Sequence, residues 1–124
     1  ERPQEEIEWY FERFTETIQK HQTVRADLSP MKIQYKVRAQ KGRVYWKIFV
    51  DTHELATGFD HDYPDGLIRT NIFGFVRRKD GAIFRAATYK APETRTKTAI
   101  RGYVFDDDPS QHFTEWGITY AEGS

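Results

Sequence analysis

The chain contains no cysteine, so neither a disulfide framework nor thiol chemistry is open to it, and a reducing compartment is compatible with it. It also lacks any apolar run approaching roughly 18 residues, the length that reads as a membrane-spanning helix. The opening Glu1-Arg-Pro-Gln-Glu-Glu6 has none of the apolar core of a secretory leader. Serine is scarce. Ser29, Ser110 and Ser124 all sit beside turns or the terminus, and no nucleophile elbow, P-loop, dinucleotide-binding turn or kinase signature occurs. Net charge is absent too, because 19 bases balance 19 acids. What is abundant is aromatic surface, 15% of 124 residues, which argues for one packed domain spanning 1–124 rather than a disordered chain.

Neutrality hides segregation. Residues 29–50 hold six bases and no acid, and residues 51–66 hold five acids and no base. Residues 77–101 carry eight bases against two acids, whereas residues 102–124 carry five acids and no base. Alternating blocks of this kind create strong local potentials without a large net field.

The first block reads as a helix. Ile7, Phe11, Phe14 and Ile18 recur at helical spacing, with Tyr10 widening the stripe. Glu5, Glu6 and Glu8 lie near its positive end, and Lys20 and His21 near its negative end. Pro30 disfavours helix at Ser29. Two alternating segments follow. A two-residue turn at Lys41-Gly42 would pair Ala39 with Val44, Val37 with Trp46, Tyr35 with Ile48 and Ile33 with Val50, all on one apolar face. The other face would then set Lys36 against Lys47 and Arg38 against Tyr45, with Lys32, Arg43 and Phe49 nearby. Like charges placed opposite each other are unfavourable, so that face is expected to be solvated or to meet something anionic.

Residues 51–66 read as a long acidic loop punctuated by Gly58, Pro64 and Asp65-Gly66. Leu67–Arg77 reads as a central strand, with Ile72 and Val76 on one side and Phe73 and Phe75 on the other. A four-residue loop, Arg78-Lys-Asp-Gly81, sets Phe75 opposite Phe84 and Val76 opposite Ile83. Ala82–Tyr89, Thr98–Phe105 and Thr114–Tyr120 complete the expected strands. Lys90-Ala-Pro92 must leave the sheet, since Pro92 has no N–H for a ladder, and Gly102 permits a bulge or a close approach. Asp108 is placed to cap a helical turn with Pro109 at its first position. The expected architecture is α+β: an amphipathic N-terminal helix on a mostly antiparallel sheet of about six strands.

One stretch carries a likeness. Phe75-Val76, Lys79-Asp-Gly81, Ile83-Phe84, Arg85-Ala-Ala-Thr-Tyr-Lys-Ala-Pro92 and Ile100-Arg-Gly-Tyr-Val-Phe-Asp106 follow a shared order of turn, aromatic pair, basic motif and Arg-Gly. Between residues 71 and 108 this resembles small uncharacterised proteins of tailed bacteriophages. The chain departs from their pattern by inserting Glu93-Thr-Arg-Thr-Lys-Thr98 and by carrying Tyr103 in place of the usual Asn. The resemblance implies an origin, with action in a host bacterial cytoplasm or in the virion, and no chemistry.

Three constellations bear on function. Arg77, Arg78, Lys79, Arg85, Tyr89, Lys90, Arg95, Lys97 and Arg101 could neutralise phosphates while exposed rings stack on bases. The plainer reading makes them the wet face of an ordinary sheet, and nucleic-acid modules are usually basic overall. His53, Glu54, Asp60, His61, Asp62 and Asp65 offer mixed nitrogen and oxygen ligands, but no recognised metal spacing. Asp106-Asp-Asp108 reads as a strand end and helix cap rather than a metal site. His53, His61 or His112 could serve as a base only with a carboxylate and a reacting group beside it. The expectation is therefore a non-enzymatic protein with no cofactor and no metal, which binds a macromolecule. A protein partner comes first, through Lys36, Arg38, Tyr45, Lys47, Phe49 and the 58–66 loop, with nucleic acid on the basic strands as the alternative.

Overall fold

The computed structural model describes residues 2–30, 32–54, 67–95, 99–114 and 117–118. Helix α1 spans Gln4–Asp27, and its start is held by Pro3, whose carbonyl accepts from the N–H groups of Glu6 and Ile7. Its buried stripe is Ile7, Phe11, Phe14 and Ile18, extended one turn by Gln22. The helix runs past Lys20 and His21, so Arg25 rather than those two residues occupies the last turn.

Five strands form one sheet in the order β1-β2-β3-β4-β5, with every neighbouring pair antiparallel. They are β1 (Ile33–Lys41), β2 (Tyr45–Glu54), β3 (Leu67–Arg77), β4 (Ala82–Phe84) and β5 (Ile100–Tyr103). A single 3-10 turn, Pro109–His112, leads into a two-stranded hairpin of β6 (Phe113–Thr114) and β7 (Gly117–Ile118). The protein is α+β, with the helix packed on a mostly antiparallel sheet as the alternation of residues implies. Asp108 caps the 3-10 turn by accepting from the Ser110 N–H at 3.1 Å.

The main core lies between α1 and the sheet. Phe11 stacks flat on Trp46 at 4.0 Å between ring centres, and Phe14 meets Phe113 edge to face. Ile48, Val50, Phe73, Val76, Ile83, Val104 and Ile118 complete it. Rings of this size carry most of the buried apolar area in so small a domain. The β6–β7 hairpin closes one end. Its Ile118 approaches Gly74 so closely that a Cβ there would overlap the Ile118 side chain.

The expected β1–β2 register is corrected. Ala39 pairs with Ile48, Val37 with Val50 and Tyr35 with Thr52, so the turn is looser than two residues. Residues 42–45 form it, closed by the Gly42 N–H donating to the Tyr45 carbonyl at 2.8 Å, and Val44 is 49% exposed instead of buried. The slip is an even number of residues, so each apolar side chain within the paired strands keeps its face. The observed register also avoids the Lys36–Lys47 clash: Lys36 now faces Asp51, Arg38 faces Phe49 and Lys47 faces Gln40.

Other boundaries shift as well. β3 has the expected span, and Phe75–Phe84 and Val76–Ile83 pair as expected. A bulge at Phe73 breaks its alternation, however, so Phe73 joins Val76 in the main core and Ile72 joins Phe75 on the opposite face. β4 stops at Phe84 rather than Tyr89, because the chain turns back on itself at Ala86–Pro92. The next strand is confined to Ile100–Tyr103, and the last expected strand is replaced by the short β6–β7 pair. Residues 51–54 belong to β2 rather than to a loop, and the rest of the expected acidic loop lies outside the described residues.

Candidate functional site

The outer face of the sheet, opposite α1, is where most of the expected contact residues converge. Alternation places Lys36, Arg38 and Gln40 of β1 beside Asp51, Phe49 and Lys47 of β2. This face is not simply wet. Phe75, Ala82 and Phe84 are buried there in a second apolar cluster, against which Tyr45, Ile72, Ala86 and Ala99 pack. Phe49 is only 2% exposed, because Tyr89 lies across it at 5.8 Å between ring centres and the Arg38 guanidinium covers it at 4.2 Å.

The Arg85–Pro92 motif makes that cover. The Thr88 hydroxyl accepts from the N–H groups of Lys90 and Ala91, while the Ala91 carbonyl accepts from Ala87 and Thr88. The Ala86–Pro92 bridge and the Glu93 N–H to Arg85 carbonyl bond close its base. The result is a compact finger with Tyr89 and Lys90 at its tip. Tyr89, 55% exposed, receives the Lys47 ammonium 4.1 Å from its ring centre.

Several expected cations are instead committed to the fold. Arg77 donates twice to Asp80, at 3.0 and 2.6 Å, and its guanidinium lies 5.3 Å from the Phe84 ring centre. Burial pushes the Asp80 carboxyl up, but hydrogen bonds from Arg77 and the Ala82 N–H together with the Arg77 charge outweigh it, holding the group below the usual carboxylate range. Arg38 donates to Asp51 at 2.7 Å, and Thr70 donates to the other Asp51 oxygen. Asp51 is likewise raised by burial and lowered further by those two bonds and the Arg38 charge. Arg78 donates to the carbonyls of Gly42 and Arg43, tying the β3–β4 turn to the β1–β2 loop. Arg85 donates to the Ile118 carbonyl, and Arg101 is the extra residue of a bulge in β5. Lys79 and Arg95 are exposed, and Lys97 lies outside the described residues.

Lys47 and Lys90 are brought together, with two residues that sequence reasoning did not select as contacts. Lys41, Arg43, Lys47 and Lys90 line a concavity of about 230 Å³ floored by Tyr45 and Phe75, with Gln40, Gly42 and Val44 on its rim. No carboxylate lines it among the described residues. Lys41 stands opposite Trp46 on the helix side of the sheet, where its ammonium approaches Glu8 at 3.7 Å in a loose and solvated pair, so the charge of the concavity comes from Arg43, Lys47 and Lys90. Lys41 and Arg43 belong to the six-base block of residues 29–50, so the charge run was the available signal.

The histidine and acid candidates divide. His112 pairs with Asp106 at 2.5 Å, and Asp106 also accepts from the Tyr103 N–H. The His112 ring fills the space beside Gly102, where a Cβ would overlap it and φ is +153°. That pair braces the β5 bulge, which makes Gly102 the close-approach position anticipated from sequence. Asp107 is exposed and Asp108 caps the 3-10 turn. His53 and Glu54 end β2, while Asp60, His61, Asp62, Asp65 and the 58–66 contact segment lie outside the described residues. Among the described residues no three His, Asp or Glu side chains gather to hold a metal ion, and no helix is long and apolar enough to cross a membrane. No family model, curated protein or solved structure matches the chain.

Proposed function

We propose that this protein is a non-enzymatic phage accessory protein that binds an acidic segment of another protein through its outer sheet face. The cytoplasm of an infected bacterium or the virion is its proposed place of action. The observation that carries the reading is the concavity where Arg43, Lys47 and Lys90 surround Tyr45 and Phe75 without a lining carboxylate among the described residues. Carboxylates of a partner would meet three cations there, while Val44 and Tyr89 supply exposed apolar contact beside them. Charge complementarity of this kind steers encounter and fixes orientation.

A nucleic acid is the second reading, supported by the same three cations. Two facts favour the protein partner. The chain as a whole is neutral, whereas nucleic-acid modules are usually basic. Phe49 and Phe75 are buried by neighbouring groups, leaving few rings on this face for base stacking.

The test is affinity capture from bacterial lysate with the wild-type chain and with the Lys47→Glu/Lys90→Glu variant, followed by mass spectrometry. The expected result is one protein retained by the wild type and lost by the variant, while the variant still unfolds cooperatively, with a melting temperature lowered only by loss of the Lys47 contact to Tyr89. Capture that the variant leaves intact would refute the assignment of this face. Gel shifts with DNA and RNA at two salt concentrations decide the second reading, since phosphate contacts produce steep salt dependence.

A further inference from the structure

The opposite face of the sheet carries a second cavity, independent of the basic concavity. It measures about 360 Å³ and is lined by Arg25 from the last turn of α1, by Val50 and Thr52 of β2, and by Arg69, Asn71, Ile72 and Phe73 of β3. A volume of this order suits a small organic molecule.

The backbone is arranged to make this cavity polar. Continued alternation from Val76 and Gly74 would place Ile72 and Thr70 on the helix side of β3. The bulge at Phe73 reverses that parity, setting Asn71 opposite Val50 and Arg69 opposite Thr52. A second register shift, at Ile68, lies directly before Arg69 in the chain. Bulges gather beside functional sites because they re-aim side chains, and here two of them bracket the donors. Arg25 is held in place from above. Its guanidinium lies 4.2 Å from the Tyr35 ring centre, and it donates to the buried Gln22 amide oxygen at 3.2 Å.

Thr52 supplies the second, independent observation. It is 3% exposed, and its hydroxyl has no hydrogen-bond partner among the described residues. A buried hydroxyl without a partner is unfavourable, and an oxygen of a bound ligand would accept from it. The lining therefore joins two guanidinium forks, an amide and a hydroxyl to an apolar wall of Val50 and Phe73. Guanidinium forks match the oxygens of carboxylate and phosphate.

We propose that this cavity binds a small organic anion, a carboxylate or phosphate monoester on an apolar body. Arg69, Asn71 and the Thr52 hydroxyl take the oxyanion, Arg25 is the second cation, and Val50 and Phe73 contact the body. The test is a titration of the full chain, followed by its backbone amide resonances, with benzoate, phenyl phosphate, inorganic phosphate and benzylamine. Saturable shifts at Thr52, Arg69 and Asn71 with benzoate or phenyl phosphate are expected, and which of the two binds more tightly identifies the headgroup. Thr52→Val and Arg69→Gln should each weaken that binding by roughly tenfold, a difference readily resolved as a dissociation constant. Thr52→Val should not lower the melting temperature, and exposed Arg69 gives a second variant that leaves packing untouched. Lys47→Glu/Lys90→Glu should bind these probes like the wild type, which separates this site from the outer face. Absence of saturable shifts up to about 10 mM of either aromatic anion overturns the proposal. Equal binding of benzylamine, inorganic phosphate as tight as phenyl phosphate, or indifference to both single variants overturns it as well.

Discussion

Gln19 offers a sharp test of how α1 holds the sheet. β1 is an edge strand, and its outward backbone groups would otherwise be left to water or to another chain. The Gln19 side-chain amide donates to the Tyr35 carbonyl at 2.8 Å, and its oxygen accepts from the Val37 N–H at 2.8 Å. One side chain thus imitates a neighbouring strand across two residues, fixing the strand that carries Lys36 and Arg38. Gln19→Ala removes both bonds. At about 1 kcal/mol net for each, discounted because water reaches the edge, the loss is about 1.5 kcal/mol. For a domain of this size that lowers the urea midpoint by roughly 1 M. Amide exchange localises the effect: Val37 should lose protection while Ile48 and Val76, deep in the sheet, lose only what the global change imposes. Gln19→Glu refines the argument, because a carboxylate accepts from Val37 but cannot donate to Tyr35. Protonation restores that donor, so the folded pKa of Glu at this position should lie above its unfolded value. Its stability gap to wild type should therefore be widest at neutral pH, narrow as pH falls through that raised folded value, and be smallest below the unfolded value of about 4.3. An unchanged midpoint in Gln19→Ala, with Val37 exchanging at the wild-type rate, would show that the edge does not need this clamp.

Three further outcomes follow from the packing and the ion pairs. Gly102→Ala combines a φ of +153° with overlap onto the His112 ring, so it should destabilise by about 2 kcal/mol or more, read by thermal melting. Asp51 and Asp80 are held below their ordinary values, so their stabilisation is full above the unfolded carboxylate range and is lost as pH falls through their lower folded values. Asp80→Asn should flatten that acid limb of the melting-temperature profile, and a limb as steep as wild type would refute the role of the Arg77 pair. Phe11→Ala removes the ring stacked on Trp46 and should cost about 3–5 kcal/mol by chemical denaturation, with a change in Trp fluorescence.

Local pattern made the faces legible, and tertiary contact made the partners. The spacing of Ile7, Phe11, Phe14 and Ile18 gives one helical stripe, and alternation in 33–50 assigns Tyr35, Val37, Trp46 and Ile48 to one side. Both readings hold because each depends only on the period of the backbone. The β3–β4 register was legible for a similar reason, since Phe75 and Phe84 could meet only if Arg78–Gly81 formed the loop. Of the outer face, the sequence located the basic residues but not their occupations. Arg77 and Arg38 turned out to be held by Asp80 and Asp51, whereas Arg43 joined Lys47 and Lys90.

Sequence alone determined the fold class, the inward side of α1 and of the first hairpin, and the alternating blocks of charge. Tertiary structure decided the β1–β2 register, because a slip by an even number of residues leaves side-chain parity untouched and only longer-range packing chooses between the alternatives. It also decided the bulge at Phe73, where one extra residue reverses parity and turns Asn71 and Arg69 toward the helix side. No periodic reading can anticipate that reversal, since it is set by what β2 and the β6–β7 hairpin press against the strand.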